Sequence, residues 1–207
     1  SYVRFTMGQD TLTLFLGEHL ALLPGSGGSS VAGASSVFAG YGITDESSGY
    51  DDYSGIDARG KVVWVLRYAP RQAPFSRRSP HAWFEKKIEN ARQHGAVGLV
   101  LVSGKLNGPD EQPPESGEQL DGFYEDTKPP VDGIPAVFLS RQGAEAIGTV
   151  VGFDIFQQET AIEQSQAPAS CDLLGLSVDL SARMERKPQA TRNVIGYLPG
   201  TDLAEEL

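Results

Sequence analysis

A mixed α/β fold, with a parallel βαβ core joined to antiparallel strands, is predicted by three features of the sequence. Two short runs, "VVWVL" at 62–66 and "AVGLVLVS" at 96–103, are apolar on both faces, as in strands covered from both sides. Between them, "SPHAWFEKKIENARQHG" sets Phe84, Ile88 and Ala91 at helical spacing, with Lys86, Glu89 and Arg92 facing away. Farther on, "LLGLSVDLSARMER" alternates Leu174, Leu176, Val178, Leu180, Ala182 and Met184 against polar or small residues. That pattern gives one wet face, the mark of an antiparallel sheet.

The elements follow in order. "TLTLFL" places Leu12, Leu14 and Leu16 on one face of a half-buried strand. Residues 23–36, small, polar and Gly-rich, predict a flexible loop, and "VFAGYGI" alternates again as a strand. An acidic loop then leads to a turn at Ala58-Arg59-Gly60, with Lys61 solvated at the entry of the first buried strand. In the helix, Ser79 is the expected N-cap, Pro80 the first helical residue and Gly95 the residue after its end. Strand, helix and strand over this distance predict a right-handed crossover between parallel strands. Residues 104–133 form a long loop rich in Pro, Gly and acid, and loops of that length are usually functional. "IPAVFLS" resumes a strand, Ser140 caps a short helix through Ala144 and Ile147, and "TRNVIGYLPGTD" closes with a strand and a Pro-Gly turn.

The 207 residues suffice for a full core. A net charge of −10 disfavours a nucleic-acid groove, which needs a basic surface. No apolar run nears the roughly 20 residues that span a bilayer, so no membrane partner is expected. The first residues lack a signal-peptide core, so any export signal is expected to have been removed or to lie outside this chain. Cys171 is the single cysteine, which excludes an internal disulfide.

Candidate chemistry is sparse. "GIDARGK" has the glycine and lysine spacing of a phosphate loop, but Val62 replaces the hydroxyl residue. The segment also precedes a strand rather than a helix, and Asp45, Glu46, Asp51, Asp52 and Asp57 would repel a polyanion. Calcium in this acidic loop would need six to eight oxygen ligands, and the spacing matches no EF-hand. His19, His81 and His94 are far apart and in no zinc-ligand spacing; His94 is expected to complement a helix C-terminus. No G-x-S-x-G occurs. Cys171 is expected to be a small, semi-buried side chain. Trp64 and Trp83 are expected in the core of the βαβ unit, with Trp83 beside Phe84 the one that lies nearer the surface.

Five blocks in order, "VFAGYGI", "YDDYSGIDARGKVVWVLR", "KIENARQHGAVGLVLVS", "IPAVFLSRQGAEAI" and "TRNVIGYLPGTD", carry a resemblance. Together they are similar to the protease-associated domain inserted in zinc-dependent aminopeptidases of the family-28 metallopeptidases. The resemblance runs from about Val37 to Asp202. It implies a three-layer β/β/α domain at 37–190, preceded by a flanking strand and Gly/Ser-rich loop at 1–36. Residues 191–207 would then return toward a peptidase domain. It further implies secretion or a periplasmic location, and zinc held by a His-x-Asp motif and other ligands beyond Leu207. No catalytic, cofactor or metal residue carries over onto this chain, which is expected to be a non-catalytic insert. It would shape substrate access or mediate protein contacts, with the parent peptidase domain and a peptide or protein substrate as partners. The alternative is a stand-alone peptide- or protein-binding module. The possible contact surface comprises Arg71, Arg77, Arg78 and Trp83, on and after the loop at 68–79, together with the acidic loop at 104–133.

Overall fold

The computed structural model describes residues 1–17, 19–23, 25–71, 74–76, 79–106 and 133–183. In chain order these form β1 (Tyr2–Met7), β2 (Asp10–Phe15), β3 (Leu20–Leu22), β4 (Ser30–Phe38), β5 (Thr44–Asp45), β6 (Tyr50–Asp51) and β7 (Val62–Leu66). A 3-10 turn at Pro80–Ala82 leads into α1 (Phe84–Gln93). Then follow β8 (Gly98–Val102), β9 (Ala136–Leu139), α2 (Arg141–Val151), α3 (Ile155–Ser165) and β10 (Cys171–Ser181). Arg77, Arg78, most of the loop at 104–133 and the closing "TRNVIGYLPGTD" lie outside the described residues.

One eight-stranded sheet runs in the order β2-β1-β10-β4-β7-β8-β9-β3, and β5 and β6 form a separate pair. β4, β7, β8 and β9 are parallel neighbours, whereas β1, β2, β10 and β3 join antiparallel. β2 and β3 stand at opposite ends of this order, yet β3 begins five residues after β2 ends. Five residues reach about 18 Å at most, whereas eight strands lying flat would be roughly 34 Å across. The sheet therefore curls, bringing the end of β2 close to the start of β3. Gly17 N donates to Leu20 O across the seam (3.0 Å), beside a bridge between Leu16 and Leu20.

Curling gives the parallel strands two covered faces. Inward, Val62, Trp64, Leu66, Val100, Val102, Val137 and Leu139 share a core with Val3 and Phe5 of β1, Leu176, Val178 and Leu180 of β10, and residues of α2 and α3. Outward, Val63, Val65, Leu99, Leu101, Ala136 and Phe138 pack beneath Ile88 and Ala91 of α1. The layers are thus β, β and α, the architecture expected from the resemblance. The two-sided apolar runs of β7 and β8 follow from their place in the middle layer, and all ten of their residues are buried.

Several local expectations change. Residues 30–36 belong to strand β4 rather than a flexible loop, because pairing with β10 and β7 satisfies a backbone that small Ser, Ala and Gly side chains leave accessible. β4 ends at Phe38, and Ala39 to Ile43 turn away, although Tyr41 and Ile43 stay buried. The alternation of β10 breaks at Gly175, where φ is +80° and the register against β4 slips between Leu173 and Ser177. Leu173 takes the inward position and Leu174 stands 83% exposed. α1 starts later than expected, with Trp83 as N-cap, and Ser79 precedes only the 3-10 turn. Ser140 does cap α2, its hydroxyl accepting from Gly143 N. Lys61 is not simply solvated, for its ammonium pairs with Asp172 of β10 at 2.6 Å.

Candidate functional site

The connection from β7 to α1 carries Arg71 and ends at Trp83. Trp64 is buried in the core against Phe5, with ring centroids 5.3 Å apart. Trp83 is 55% exposed, because an N-cap residue ahead of the first helical turn has no sheet beneath it. Arg71 is exposed as well. Between them Phe75 is buried, packed edge-on against Tyr50 (5.0 Å) and His81 (5.7 Å), and this pins the middle of the loop. Of the four residues expected at a contact surface, the described ones, Arg71 and Trp83, thus lie at the two ends of one pinned loop.

What roots this loop is α3, an element with weak sequence signals. Its N-cap Asp154 accepts from the amides of Phe156 and Gln157 (2.9 and 3.2 Å). Glu159 and Glu163, one turn apart, are therefore on one side of the helix. Glu163 accepts from Arg71 N (3.2 Å) and from the Tyr41 hydroxyl (2.6 Å). Glu159 is 1% exposed and accepts from the amides of Lys105 and Leu106 (2.7 and 3.3 Å), where the loop after β8 departs. Arg141 of α2 adds two donors to Gly104 O (3.0 and 2.6 Å). Two carboxylates on one helix hold the roots of both loops named from sequence as contact surfaces. Burial is the main reason the Glu159 carboxyl titrates above its ordinary range.

Beneath the loops is a polar network that sequence reasoning missed. Asp52, assigned to the acidic loop, is fully buried and accepts from Tyr41 N, Ile43 N and the Tyr50 hydroxyl (3.0, 3.0 and 3.1 Å). Lys87 is on α1 between Lys86 and Ile88, and it too is fully buried, donating to Tyr41 O. Asn90, one turn on, donates to Gly42 O (2.9 Å). The 39–43 turn is therefore clasped from both sides, and the apolar pattern of α1 gave no hint of a buried ammonium in it. Asp45 and Asp51 of this segment are engaged locally. Asp45 accepts from the hydroxyls of Ser47 and Ser48 (2.8 and 2.7 Å), and Asp51 from the Thr44 hydroxyl and Tyr53 N (3.0 and 2.9 Å). Among the described residues, no three His, Cys, Asp or Glu side chains gather as a metal site would require. His94 stacks on the Tyr53 ring at 4.0 Å, and His19 Nδ1 meets the Ser140 hydroxyl at 3.1 Å. Cys171 is half-buried, and burial pushes its thiol up.

Burial pushes Asp52 up and Lys87 down, and each group's charge partly restores the other. For Lys87 the sign is definite. Its folded value falls to about 7 from an unfolded value near 10.4. The unfolded chain therefore binds the extra proton between these limits, and stability rises with pH across them. Above about 10 the trend reverses, because buried Tyr41, Tyr50 and Tyr53 hold their protons while an unfolded tyrosine ionises. Urea melts of wild type and Lys87→Met from pH 7 to 10 are expected to differ by a slope approaching 1.4 kcal/mol per pH unit. Parallel curves would mean that Lys87 carries its proton equally in both states.

The fold and loops define a β/β/α domain that presents loops from the carboxyl ends of parallel strands. Residues 25–147 match the family model described as "PA domain", well over half of the chain. The chain belongs to the PA domain family. Among solved structures it is similar to an aminopeptidase from Aneurinibacillus sp. strain AM-1, at 17% identity and a TM-score of 0.40. That match covers 88% of this chain and 34% of the aminopeptidase, so the chain spans about a third of that protein's length. No curated protein matches the sequence.

Proposed function

We propose that this chain is the non-catalytic PA domain of a secreted or periplasmic zinc aminopeptidase. In this reading it docks on the parent peptidase domain and shapes the access of peptide or protein substrates, or mediates protein contacts. Zinc and the catalytic groups belong to the peptidase domain. Membership of the PA family and the five-block resemblance support the assignment. The geometric observation that carries the access role is the shared root of the two loops. Glu163 and Glu159 of α3 hold them at adjacent strand ends, with Arg71 and the exposed Trp83 on the first. Fixed loops bearing an exposed aromatic and a cation resemble the anchors that dominate protein interfaces.

Two measurements test this. The purified chain, supplied with Zn²⁺, is expected not to hydrolyse aminoacyl p-nitroanilides, and robust turnover would overturn the non-catalytic reading. In the parent peptidase, Trp83→Ala is expected to change KM for a long peptide about fivefold, the scale of one interface anchor. KM for a p-nitroanilide should stay constant, since so short a substrate does not reach the loops. An unchanged KM for the long peptide would refute the access role.

A further inference from the structure

Arg67 follows the last residue of β7, and its amide still donates to Val102 O (2.8 Å), so it keeps the register of the parallel ladder. Leu66 pairs with Val102, and Val102 with Leu139. Arg67, Ser103 and Ser140 thus form the next row across the carboxyl ends of β7, β8 and β9. Leu66, Val102 and Leu139 face the inner core, so alternation turns this row toward the α1 layer. The guanidinium is found there. Its Cζ is 4.7 Å from the Tyr68 ring centroid, 5.6 Å from that of Phe84 and 5.9 Å from that of Phe138. Rings from the loop, the helix and the sheet hold the guanidinium by cation–π attraction.

Among the described residues, no carboxylate pairs with this group. Arg4, Arg59 and Arg92 each pair with a carboxylate, and Arg141 donates to a carbonyl. Among the described residues, the buried Arg67 Nε finds no acceptor, and the Ser103 hydroxyl, 0% exposed, finds no partner. Ser140, third in the row, is already used by Gly143 N and His19. Buried donors are almost always satisfied in folded proteins, and these two, unlike Ser36, Tyr53, Trp64 and Ser79, occupy neighbouring positions of one strand row, where a single acceptor group could serve both. Tyr68, which turns the chain here, has φ +68°, a strained value for a residue with a side chain, and strain of this kind clusters at ligand sites.

We propose that Arg67 and Ser103 form a binding subsite for a peptide carboxylate, terminal or side-chain. The guanidinium fork matches two carboxylate oxygens, and the hydroxyl supplies a further donor. A single cation in a chain of net charge −10 balances one negative charge, which favours a carboxylate over a phosphate dianion. The subsite is outside the carboxyl ends of the parallel strands β7 and β8, beside the roots of the two loops. That the carboxylate belongs to a peptide rests on the function proposed above; the carboxylate itself rests on the geometry.

The test is a titration of the isotopically labelled chain, followed by amide NMR shifts. The probes are acetyl-Ala-Phe as free acid, its C-terminal amide, acetyl-Glu-Ala-amide and inorganic phosphate. Saturable shifts at Tyr68, Ser103 and Gly104 are expected with the free acid or the Glu peptide and not with the acetyl-Ala-Phe amide. The tighter of the two carboxylates identifies its source. Arg67→Lys, which keeps the charge and loses the fork, is expected to weaken binding about tenfold, and Ser103→Ala about threefold. The proposal fails if neither carboxylate gives saturable shifts, if the amide binds equally, if phosphate binds tighter, or if folded Arg67→Lys binds as wild type. Should that variant not fold, the acid-against-amide comparison on wild type decides alone. The chain is titrated without any peptidase, so the outcome is independent of the KM experiment on Trp83.

Discussion

Asp52→Ala is expected to lower the folding stability by about 4 kcal/mol, because three buried donors lose one acceptor together and each orphan costs roughly 1–3 kcal/mol. The donors are Tyr41 N, Ile43 N and the Tyr50 hydroxyl. Lys87 loses the carboxylate whose charge favours its protonated form, so at pH 7 it must give up its proton in the folded state while the unfolded chain keeps it, a further cost to stability. Relief of the carboxylate's own desolvation offsets part of this, which is why the expected value is below the sum of the parts. Asp52→Asn keeps an acceptor and the shape, so its cost should be less than half. Urea denaturation at pH 7 measures both. A loss under about 1 kcal/mol for the alanine variant would mean that water satisfies the 39–43 turn equally well.

The second large effect is expected at Gly104, where the loop leaves β8. A Cβ there would overlap the Glu159 carboxylate. That carboxylate is buried and held by two amides, so it cannot swing aside without releasing Lys105 N and Leu106 N. Gly104→Ala is therefore expected to cost about 2–3 kcal/mol, the sum of steric expulsion and lost hydrogen bonds. The cause can be isolated by a double-mutant cycle. With Glu159→Ala already in place the clash is gone, and Gly104→Ala should then cost under about 0.5 kcal/mol. Equal costs in both backgrounds would show that the glycine is needed for another reason. Hydrogen exchange at Lys105 and Leu106 should quicken in either single variant, reporting the loosened root directly.

Local signals made much of the middle layer legible. β7 and β8 are short and covered on both faces, so their composition alone announces them. α1 carries a clean apolar stripe, and α2 carries both its stripe and the Ser140 cap. α3 was not legible, because its inward stripe of Ile155, Phe156, Glu159 and Ile162 includes a carboxylate and its apolar residues are less confined to one face than those of α1 or α2. β4 was obscured for the opposite reason: its Ser, Ala and Gly residues look like a linker, and only neighbours on both sides make them a strand. The candidate site divides in the same way. Arg71 and Trp83 are visible as a cation in a basic loop and an aromatic at a helix start. The anchoring of Arg71 by Glu163 joins residues 92 positions apart, and no local pattern encodes such a pair.

From the sequence alone came the strand-helix-strand core, the Ser140 cap, the turn at Ala58-Arg59-Gly60, and the order of blocks that places the chain among PA domains. Each depends on neighbours within a turn or two, or on a pattern kept along the chain. Only the tertiary structure decided which polar side chains became interior. Lys87 and Lys86 are adjacent and chemically identical, yet one is fully buried and the other faces solvent. The difference is the roughly 100° that separates adjacent residues around a helix, and a carbonyl of the 39–43 turn waiting on one side. Arg67 and Ser103 became a row because two parallel strands share a register, and long-range pairing alone sets that register.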